Sequence, residues 1–248
     1  DRYWDAEARQ LYALDGRETA PIAADADYFL GANGAPLKWG TAMMGGRAVG
    51  VPGTLHLLDT AHDLFGVKSW ADLLEPAISL AIKGFAVSPR LAQSIASAAD
   101  RGLRQFSAAR RYFFNENGKP LLAGFLLRNP AFANALRMIA REGIEPFYQG
   151  PIASRLVKAL ENTSELPSLM TGEDLSEYRT IFRSPICAPY RGYSVCGIGP
   201  PSSGALTVGQ ILGLVERFDL PNMGPSADSI HLILEASRLA FADRARYM

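Results

Sequence analysis

The feature that most constrains this chain is a point near its start where a strand has to end. Residues 10–14 (QLYAL) suit a strand, and the Asp-Gly pair that follows is a strong signal for a turn. Arg17 comes directly after this turn, within residues 15–21 (DGRETAP). A guanidinium can hold a carboxylate through two parallel hydrogen bonds, so Arg17 is a candidate anion-binding residue. The same local sequence also fits a solvated arginine, or one paired with Glu18.

Charge and composition exclude several classes of protein. The 248 residues contain 25 Lys+Arg and 25 Asp+Glu, and a formal net charge of zero gives no general attraction to nucleic acid or to an anionic membrane. With 48% hydrophobic residues, the chain can bury a substantial core. No apolar run approaches the roughly 20 residues that span a bilayer. The two cysteines and three histidines show no metal-binding spacing.

Helical patterns dominate the middle of the chain. Cap and proline signals at the start and glycine at the end predict several helices, over residues 54–65, 89–99, 130–142, 152–161 and 205–218 and a last one after Ser226 with a broad apolar face. Ser69 is predicted to cap a turn. Pro76 is predicted to begin a separate helix that ends at Gly84, with Ile78, Ala81 and Ile82 facing inward.

Residues 185–196 change to a strand pattern, which predicts an antiparallel hairpin. A two-residue turn at Arg191 and Gly192 places Tyr190 opposite Tyr193, and Cys187 opposite Cys196. The α-carbons of the two cysteines should lie about 4.5–5.5 Å apart. Directly opposed strand positions hold a disulfide only with strain, so we expect free thiols.

No residue of this chain is an obvious catalytic nucleophile. The three histidines (His56, His62 and His231) each fall at a mid-helix position, and none belongs to a nucleophile-elbow motif. Ser202 and Ser203 lack the G-x-S-x-G surroundings of a strained nucleophile turn. We therefore assign no catalytic residue and no metal site to this chain.

Four stretches resemble, in the same order, segments of the large subunit of the γ-glutamyltranspeptidases. They are residues 15–21 (DGRETAP), 50–54 (GVPGT) followed by 70–78 (WADLLEPAI), 190–193 (YRGY) followed by 200–204 (PPSSG), and 235–236 (EA) with 240–244 (AFADR). No single motif is decisive. Four of them in register across nearly the whole chain are strongly specific.

The resemblance implies an α+β fold, namely the helix-rich large-subunit part of the αββα sandwich of an N-terminal-nucleophile hydrolase. Residues 1–248 would then be a single domain fragment, truncated at both ends and incomplete without the small subunit. A sheet edge and apolar faces should therefore be uncovered in this chain alone. A periplasmic or secreted location is suggested by the family only.

The resemblance also implies a function. Arg17 would bind the α-carboxylate of glutathione or another γ-glutamyl donor. The small subunit, cut from the same precursor, would supply the threonine nucleophile and the oxyanion hole. The γ-glutamyl group would pass to that threonine and then to an amino acid, a peptide or water, with no metal or organic cofactor.

Two other functions remain open. Some cephalosporin or glutaryl acylases share the fold and much of the pattern, but a glutaryl group has no α-amino acid head, so the intact Arg17 favours a γ-glutamyl donor. A non-catalytic binding module would also fit a chain without a nucleophile. The sequence beyond this chain separates these alternatives.

Overall fold

The computed structural model describes residues 1–163 and 166–248, and the structure is of the α+β class, as predicted. The strands are β1 (Arg2–Asp5), β2 (Gln10–Asp15), β3 (Phe85–Ala86), β4 (Leu126–Leu127), β5 (Ile181–Arg183), β6 (Ile186–Tyr190) and β7 (Tyr193–Gly197). The helices are α1 (Trp39–Ala42), α2 (Thr54–Phe65), α3 (Trp70–Lys83), α4 (Pro89–Asp100), α5 (Ser107–Phe113), α6 (Pro130–Glu142), α7 (Glu145–Tyr148), α8 (Pro151–Glu161), α9 (Gly172–Ser176), α10 (Gly204–Val215), α11 (Leu220–Met223) and α12 (Ala227–Tyr247). Among these described helices, none is long and apolar enough to cross a bilayer.

The chain divides into two compact units. The first unit comprises Asp1–Ile22, Gly50–Ala61 and Glu177–Met248. The second unit comprises Ala23–Val49 and His62–Ser176. That residues 1–248 form a single domain stays a prediction.

The first unit contains a three-stranded antiparallel sheet in the order β1-β2-β5. Its central strand β2 buries Ala13 and Leu14, each only 1% exposed. The sequence does not signal β5, because three residues give too little alternation and both Ile181 and Phe182 are exposed. Among the described strands, none pairs with the outer side of β1 or β5.

The β6–β7 hairpin of the first unit confirms the predicted register. Tyr190 pairs with Tyr193 and Cys187 with Cys196. Arg191 and Gly192 both have positive φ, of 51° and 83°, which is the geometry of a tight two-residue hairpin turn. Helix α10 packs on β6, and α12 packs on α10.

The expectation of free thiols is wrong. Cys187 and Cys196 form a disulfide, with their α-carbons 4.0 Å apart, closer than the predicted separation. Opposite residues of an antiparallel pair bring their side chains together on one face of the hairpin, which places the two sulfurs within bonding reach. The predicted register was therefore right, but the prediction that the two thiols stay free was wrong.

The second unit is built mainly from helices. Helices α3 and α6 pack together through a cluster of Ile78, Ala81 and Ala133. A second cluster joins α4 to β4 through Val87, Ile95, Leu121 and Leu127. Both clusters are formed by positions on the apolar faces of short helices and the loops between them.

The prediction that Pro76 begins its own helix is wrong, because α3 runs unbroken from Trp70 to Lys83. The hydroxyl oxygen of Ser69 accepts a hydrogen bond from the N–H of Asp72, so the helix already starts at residue 70. Pro76 lies inside it and leaves one carbonyl without its usual donor. Ile78 and Ala81 face inward as predicted, whereas Ile82 is 36% exposed.

Candidate substrate-binding site

Arg17 lies in the first unit, two residues beyond the end of β2. The last residue of that strand, Asp15, pairs with Ile181 of β5. At Gly16 a Cβ atom would overlap the side chain of Leu57 in α2, so a side chain cannot be accommodated there. The chain therefore leaves the sheet close against α2, immediately before Arg17.

The side chain of Arg17 is 56% exposed and makes two weak contacts. Its Nη1 donates to the carbonyl of Pro201 at 3.3 Å, and its Nε lies 3.7 Å from Oε1 of Glu18. The pairing with Glu18 that the sequence allowed is thus present, but solvent screens an exposed pair and it contributes little. A guanidinium has five N–H donors, so these contacts leave Arg17 able to bind a carboxylate.

The main chain of Arg17 is held on both sides. Its N–H donates to Oδ1 of Asp15 at 3.0 Å. Its carbonyl accepts a hydrogen bond of 2.8 Å from the hydroxyl of Tyr178. The exposed guanidinium therefore projects from a backbone whose two neighbouring peptide groups are both fixed.

Asp15 is a buried carboxylate with two partners. Its Oδ2 accepts from Nε of Arg183 at 2.7 Å, in an ion pair whose Asp15 side chain is only 10% exposed. Burial raises the pKa of Asp15, but the N–H of Arg17 and the guanidinium of Arg183 together outweigh burial, so the pKa lies below its usual value. Asp15 is consequently a charged anchor at neutral pH.

Tyr178 fits a slot that two other residues shape. A Cβ atom at position 53 would overlap both the hydroxyl of Tyr178 and the carbonyl of Gly16, so Gly53 leaves room for the tyrosine. The edge of the Tyr178 ring also meets the His56 ring, with centroids 5.8 Å apart. Burial, and then the negative charges of Asp15 and Glu18, raise the pKa of Tyr178, which keeps its hydroxyl a donor at neutral pH.

The stretch 50–54 (GVPGT) lies beside the stretch 15–21. Thr19 and Val51 form an antiparallel bridge, in which the N–H of Val51 donates to the carbonyl of Thr19 at 2.8 Å. Val51 is buried, and Gly50 packs against Glu18 without room for a Cβ. Two of the sequence motifs are therefore parts of one structure around Arg17.

A cavity of about 260 Å³ opens next to Arg17. Its lining comes from Asp1, from the end of β2 and the turn after it, from the start of α2 and from the loop before α10. It includes Leu14, Asp15, Gly16, Thr54, Leu57, Pro201 and Ser202. A carboxylate bound here would meet the guanidinium of Arg17.

The stretches 200–204 and 240–244 are also joined. Nε of Arg244 donates to the hydroxyl oxygen of Ser203 at 2.8 Å, and Gln210 donates to the carboxylate of Asp243 at 2.9 Å. These contacts tie the loop that supplies Pro201 to helices α10 and α12. The stretch 70–78 lies in the second unit, where it forms half of α3 and packs against α6.

The described residues show no activated nucleophile in this site. Ser203 accepts from Arg244, and Ser202 accepts from the N–H of Gly204, and neither partner is a base. The hydroxyl of Thr180 lies 3.0 Å from Nδ1 of His56, but neither residue lines the cavity beside Arg17. Within residues 1–163 and 166–248, no cluster of three or more His, Cys, Asp or Glu side chains could hold a metal ion. The site as described can bind an anion but supplies no catalytic group.

Sequence reasoning missed three residues that support Arg17. Asp15 could have been identified from the sequence, since it belongs to the same motif as Arg17, residues 15–21. Arg183 lies opposite Ala13 in the sheet, which puts it on the same face as Asp15, but this pairing requires β5 to be recognised. Tyr178 has no local signal, because it is 161 residues from Arg17.

Three comparisons relate this chain to known proteins. A sequence model of the family described as Gamma-glutamyltranspeptidase matches residues 2–248. The Glutathione hydrolase proenzyme of Escherichia coli (strain K12) is 35% identical over 237 residues, which are 95% of this chain and 40% of that protein. The Acylase ACY 1 proenzyme of Pseudomonas sp. (strain V22) is 38% identical over 205 residues, 82% of this chain and 36% of that protein.

A solved structure extends the likeness to the fold. The crystal structure of Helicobacter pylori gamma-glutamyltranspeptidase matches with a TM-score of 0.92 and 34% identity, covering all of this chain and 70% of that one. This chain spans about 40% of the length of the curated glutathione hydrolase that it matches. Because the family model matches residues 2–248 and the α+β fold is that of the solved structure, the chain belongs to the γ-glutamyltranspeptidase family of N-terminal-nucleophile hydrolases.

Proposed function

We propose that this chain is the donor-binding, large-subunit part of a γ-glutamyltranspeptidase or glutathione hydrolase. Arg17 binds the α-carboxylate of the γ-glutamyl group of glutathione or a similar donor. The observation that carries this proposal is an exposed guanidinium beside a cavity of about 260 Å³, on a backbone held by Asp15 and Tyr178. Membership of the family supports the same assignment.

The chemistry takes place on a threonine of a small subunit from the same precursor. Its hydroxyl oxygen attacks the γ-carbonyl carbon of the donor, and its proton passes to the threonine's own α-amine. The amide C–N bond breaks, leaving a γ-glutamyl ester on the threonine and releasing the protonated amine. Water, an amino acid or a peptide then takes up the γ-glutamyl group. This chemistry needs no metal or organic cofactor.

The surface of this chain supports a partner. Helix α12 of the first unit exposes large apolar side chains, namely Ile230, Ile233, Leu234, Leu239 and Phe241. The names of the relatives describe proenzymes, which fits a partner cut from the same chain.

An acylase is the second candidate function, because a curated acylase is 38% identical over most of the chain. Such an enzyme would use a glutaryl amide, which offers one carboxylate and no α-amino group. The γ-glutamyl donor remains the first candidate, because the glutathione hydrolase of Escherichia coli matches 95% of this chain and the acylase matches 82%. Comparing the two substrates separates the two functions.

The test uses the full-length protein, with self-cleavage checked on a gel. We expect γ-glutamyl-p-nitroanilide to be turned over with a higher kcat/KM than glutaryl-p-nitroanilide. Arg17→Ala should lower kcat/KM for the γ-glutamyl donor by roughly ten- to several-hundredfold, because it removes both binding and positioning. Arg17→Lys should recover only part of this, since it restores the charge without the planar fork.

The matched control is Arg90→Ala, which removes an exposed arginine from the first turn of α4 in the second unit. It should behave as the wild type. Self-cleavage should be spared in every variant, because it requires no donor carboxylate. A wild-type kcat/KM for a folded and cleaved Arg17→Ala would remove Arg17 from the site, and a preference for the glutaryl amide would favour the acylase.

A further inference from the structure

The two peptide groups that flank Arg17 are each fixed by one buried side chain. The carboxylate of Asp15 holds the N–H that precedes the α-carbon, and the hydroxyl of Tyr178 holds the carbonyl that follows it. Peptide groups are planar, so fixing both of them fixes the two backbone rotations at Arg17. Those rotations set the direction in which the arginine side chain leaves the backbone.

Each of these two side chains is itself held in place. Asp15 uses its second oxygen to pair with Arg183 of β5, and it is 9% exposed. Tyr178 is 6% exposed and occupies the space that Gly53 leaves. The support of Arg17 therefore comes from four separate parts of the first unit, and it is assembled only when the unit is folded.

We infer that Tyr178 is a positioning residue for donor binding, which acts by fixing the carbonyl of Arg17 while Asp15 and Arg183 fix its N–H. Tyr178 is not among the residues that line the cavity beside Arg17. Within residues 1–163 and 166–248, the side chain of Arg17 has no comparable anchor: it donates to Pro201 at 3.3 Å and lies 3.7 Å from Glu18. The direction in which the guanidinium of Arg17 points toward the donor carboxylate thus depends on the backbone. This inference rests on the proposed role of Arg17.

The test is Tyr178→Phe in the full-length, self-cleaved protein. The ring still fills its slot, but the hydroxyl that holds the carbonyl of Arg17 is gone. KM for γ-glutamyl-p-nitroanilide should rise about three- to tenfold, with kcat changed by less than about twofold, because one neutral hydrogen bond is lost and the chemistry lies elsewhere. The matched control is Tyr193→Phe, which alters a 76% exposed tyrosine of the β6–β7 hairpin and should leave KM unchanged.

A double-mutant cycle distinguishes positioning from a general structural role. In an Arg17→Ala background, Tyr178→Phe should cause no further loss in kcat/KM, because there is no guanidinium left to aim. Equal losses in both backgrounds would overturn the inference. If Tyr178→Phe fails to fold, Asp15→Ala, which removes the acceptor of the Arg17 N–H, makes the same test from the other peptide group, with the same two outcomes.

The outcomes also separate this inference from the proposed function. If Arg17→Ala has a wild-type kcat/KM, the proposed site itself is wrong. If Arg17→Ala is impaired but the KM of Tyr178→Phe is that of the wild type, the site stands and only the positioning role of Tyr178 fails.

Discussion

At Arg17, the main chain is fixed by hydrogen bonds, whereas the side chain stays available to a ligand. Asp15 and Tyr178 take up the backbone N–H and carbonyl, while the guanidinium stays largely exposed. An arginine whose side chain was fixed by strong ion pairs would have to break them to bind a carboxylate. Holding the backbone instead leaves the donors of the guanidinium available to a ligand.

Asp15 gives the first unit a predictable response to acid. The pKa of Asp15 is lowered from its usual 3.8: burial raises it, but the N–H of Arg17 and the guanidinium of Arg183 lower it by more. A carboxylate with a lowered pKa stabilises the fold above its unfolded-state pKa, and that stabilisation is lost as pH falls through its folded-state pKa. Asp15→Asn removes this contribution. We therefore expect the variant to melt several degrees below the wild type at about pH 6, and the gap to narrow below about pH 3.8.

Thermal melts of both proteins between about pH 6 and pH 2.5 measure this gap. The charged and titratable groups of the described side chains that face Asp15 are Arg183 from β5 and the hydroxyl of Tyr178. Asp100→Asn, at an exposed position at the end of α4, serves as the control and should show no such gap. A gap that stays constant over the whole pH range would contradict the assigned role of Asp15.

At the scale of elements, the β6–β7 hairpin connects the disulfide to the candidate site. Its second strand ends at Gly197, and the following loop carries the carbonyl of Pro201 to Arg17. Helix α10 starts directly after this loop and packs back on β6. The position of the loop is therefore fixed at both of its ends.

Removing the disulfide should destabilise the protein without unfolding the hairpin. We expect the double substitution Cys187→Ser and Cys196→Ser to lower the free energy of unfolding by about 1–3 kcal/mol. Each kcal/mol lost should lower Tm by about 2–4 °C. The backbone pairing and the contact with α10 remain in the variant. Calorimetry with and without a reductant checks this: reductant should bring the wild type to the variant's Tm and leave the variant unchanged. An identical Tm for both oxidised proteins would show that the bond contributes nothing.

The elements show where sequence reasoning succeeds. Helices α4 and α6 were predicted almost to the residue because their end signals are local: Ser88 caps the start of α4, and α6 lies between the Asn129 cap and Gly143. The register of the β6–β7 hairpin was also predicted correctly, because it follows from the position of the turn at Arg191 and Gly192. The predicted helix start at Pro76 was wrong, because in the sequence a proline inside a helix looks the same as a proline that begins one. Strand β5 was missed because its three residues carry no pattern that alternates.

The site was predictable only in part, for the same reason. Arg17 stands in a motif and could be named as a candidate. Its supports, Tyr178 and Arg183, are far away in sequence, and their contacts exist only through folding. Likewise the disulfide depended on how closely the two strands approach, which the register alone does not give.

At the scale of the whole molecule, the exposed apolar area predicts how the isolated chain behaves. Contiguous apolar surface such as that on α12 is rarely left open in a monomer. Produced alone, this chain should self-associate at micromolar concentrations and bind a hydrophobic dye, and it should not turn over γ-glutamyl-p-nitroanilide. Light scattering, dye fluorescence and a release assay test this, with the self-cleaved full-length protein as the control. Release of product above the buffer control, traced to Ser202, Ser203 or a cysteine, would refute the assignment of the nucleophile to the partner.

The close packing at Gly53 also bears on how such a sequence can change over generations. A side chain at this position would meet two independent obstacles, the hydroxyl of Tyr178 and the carbonyl of Gly16. Replacing Tyr178 with a smaller residue removes only the first of them. Gly53 therefore has to be kept even in descendants that lose Tyr178, whereas Tyr178 can be replaced while Gly53 stays.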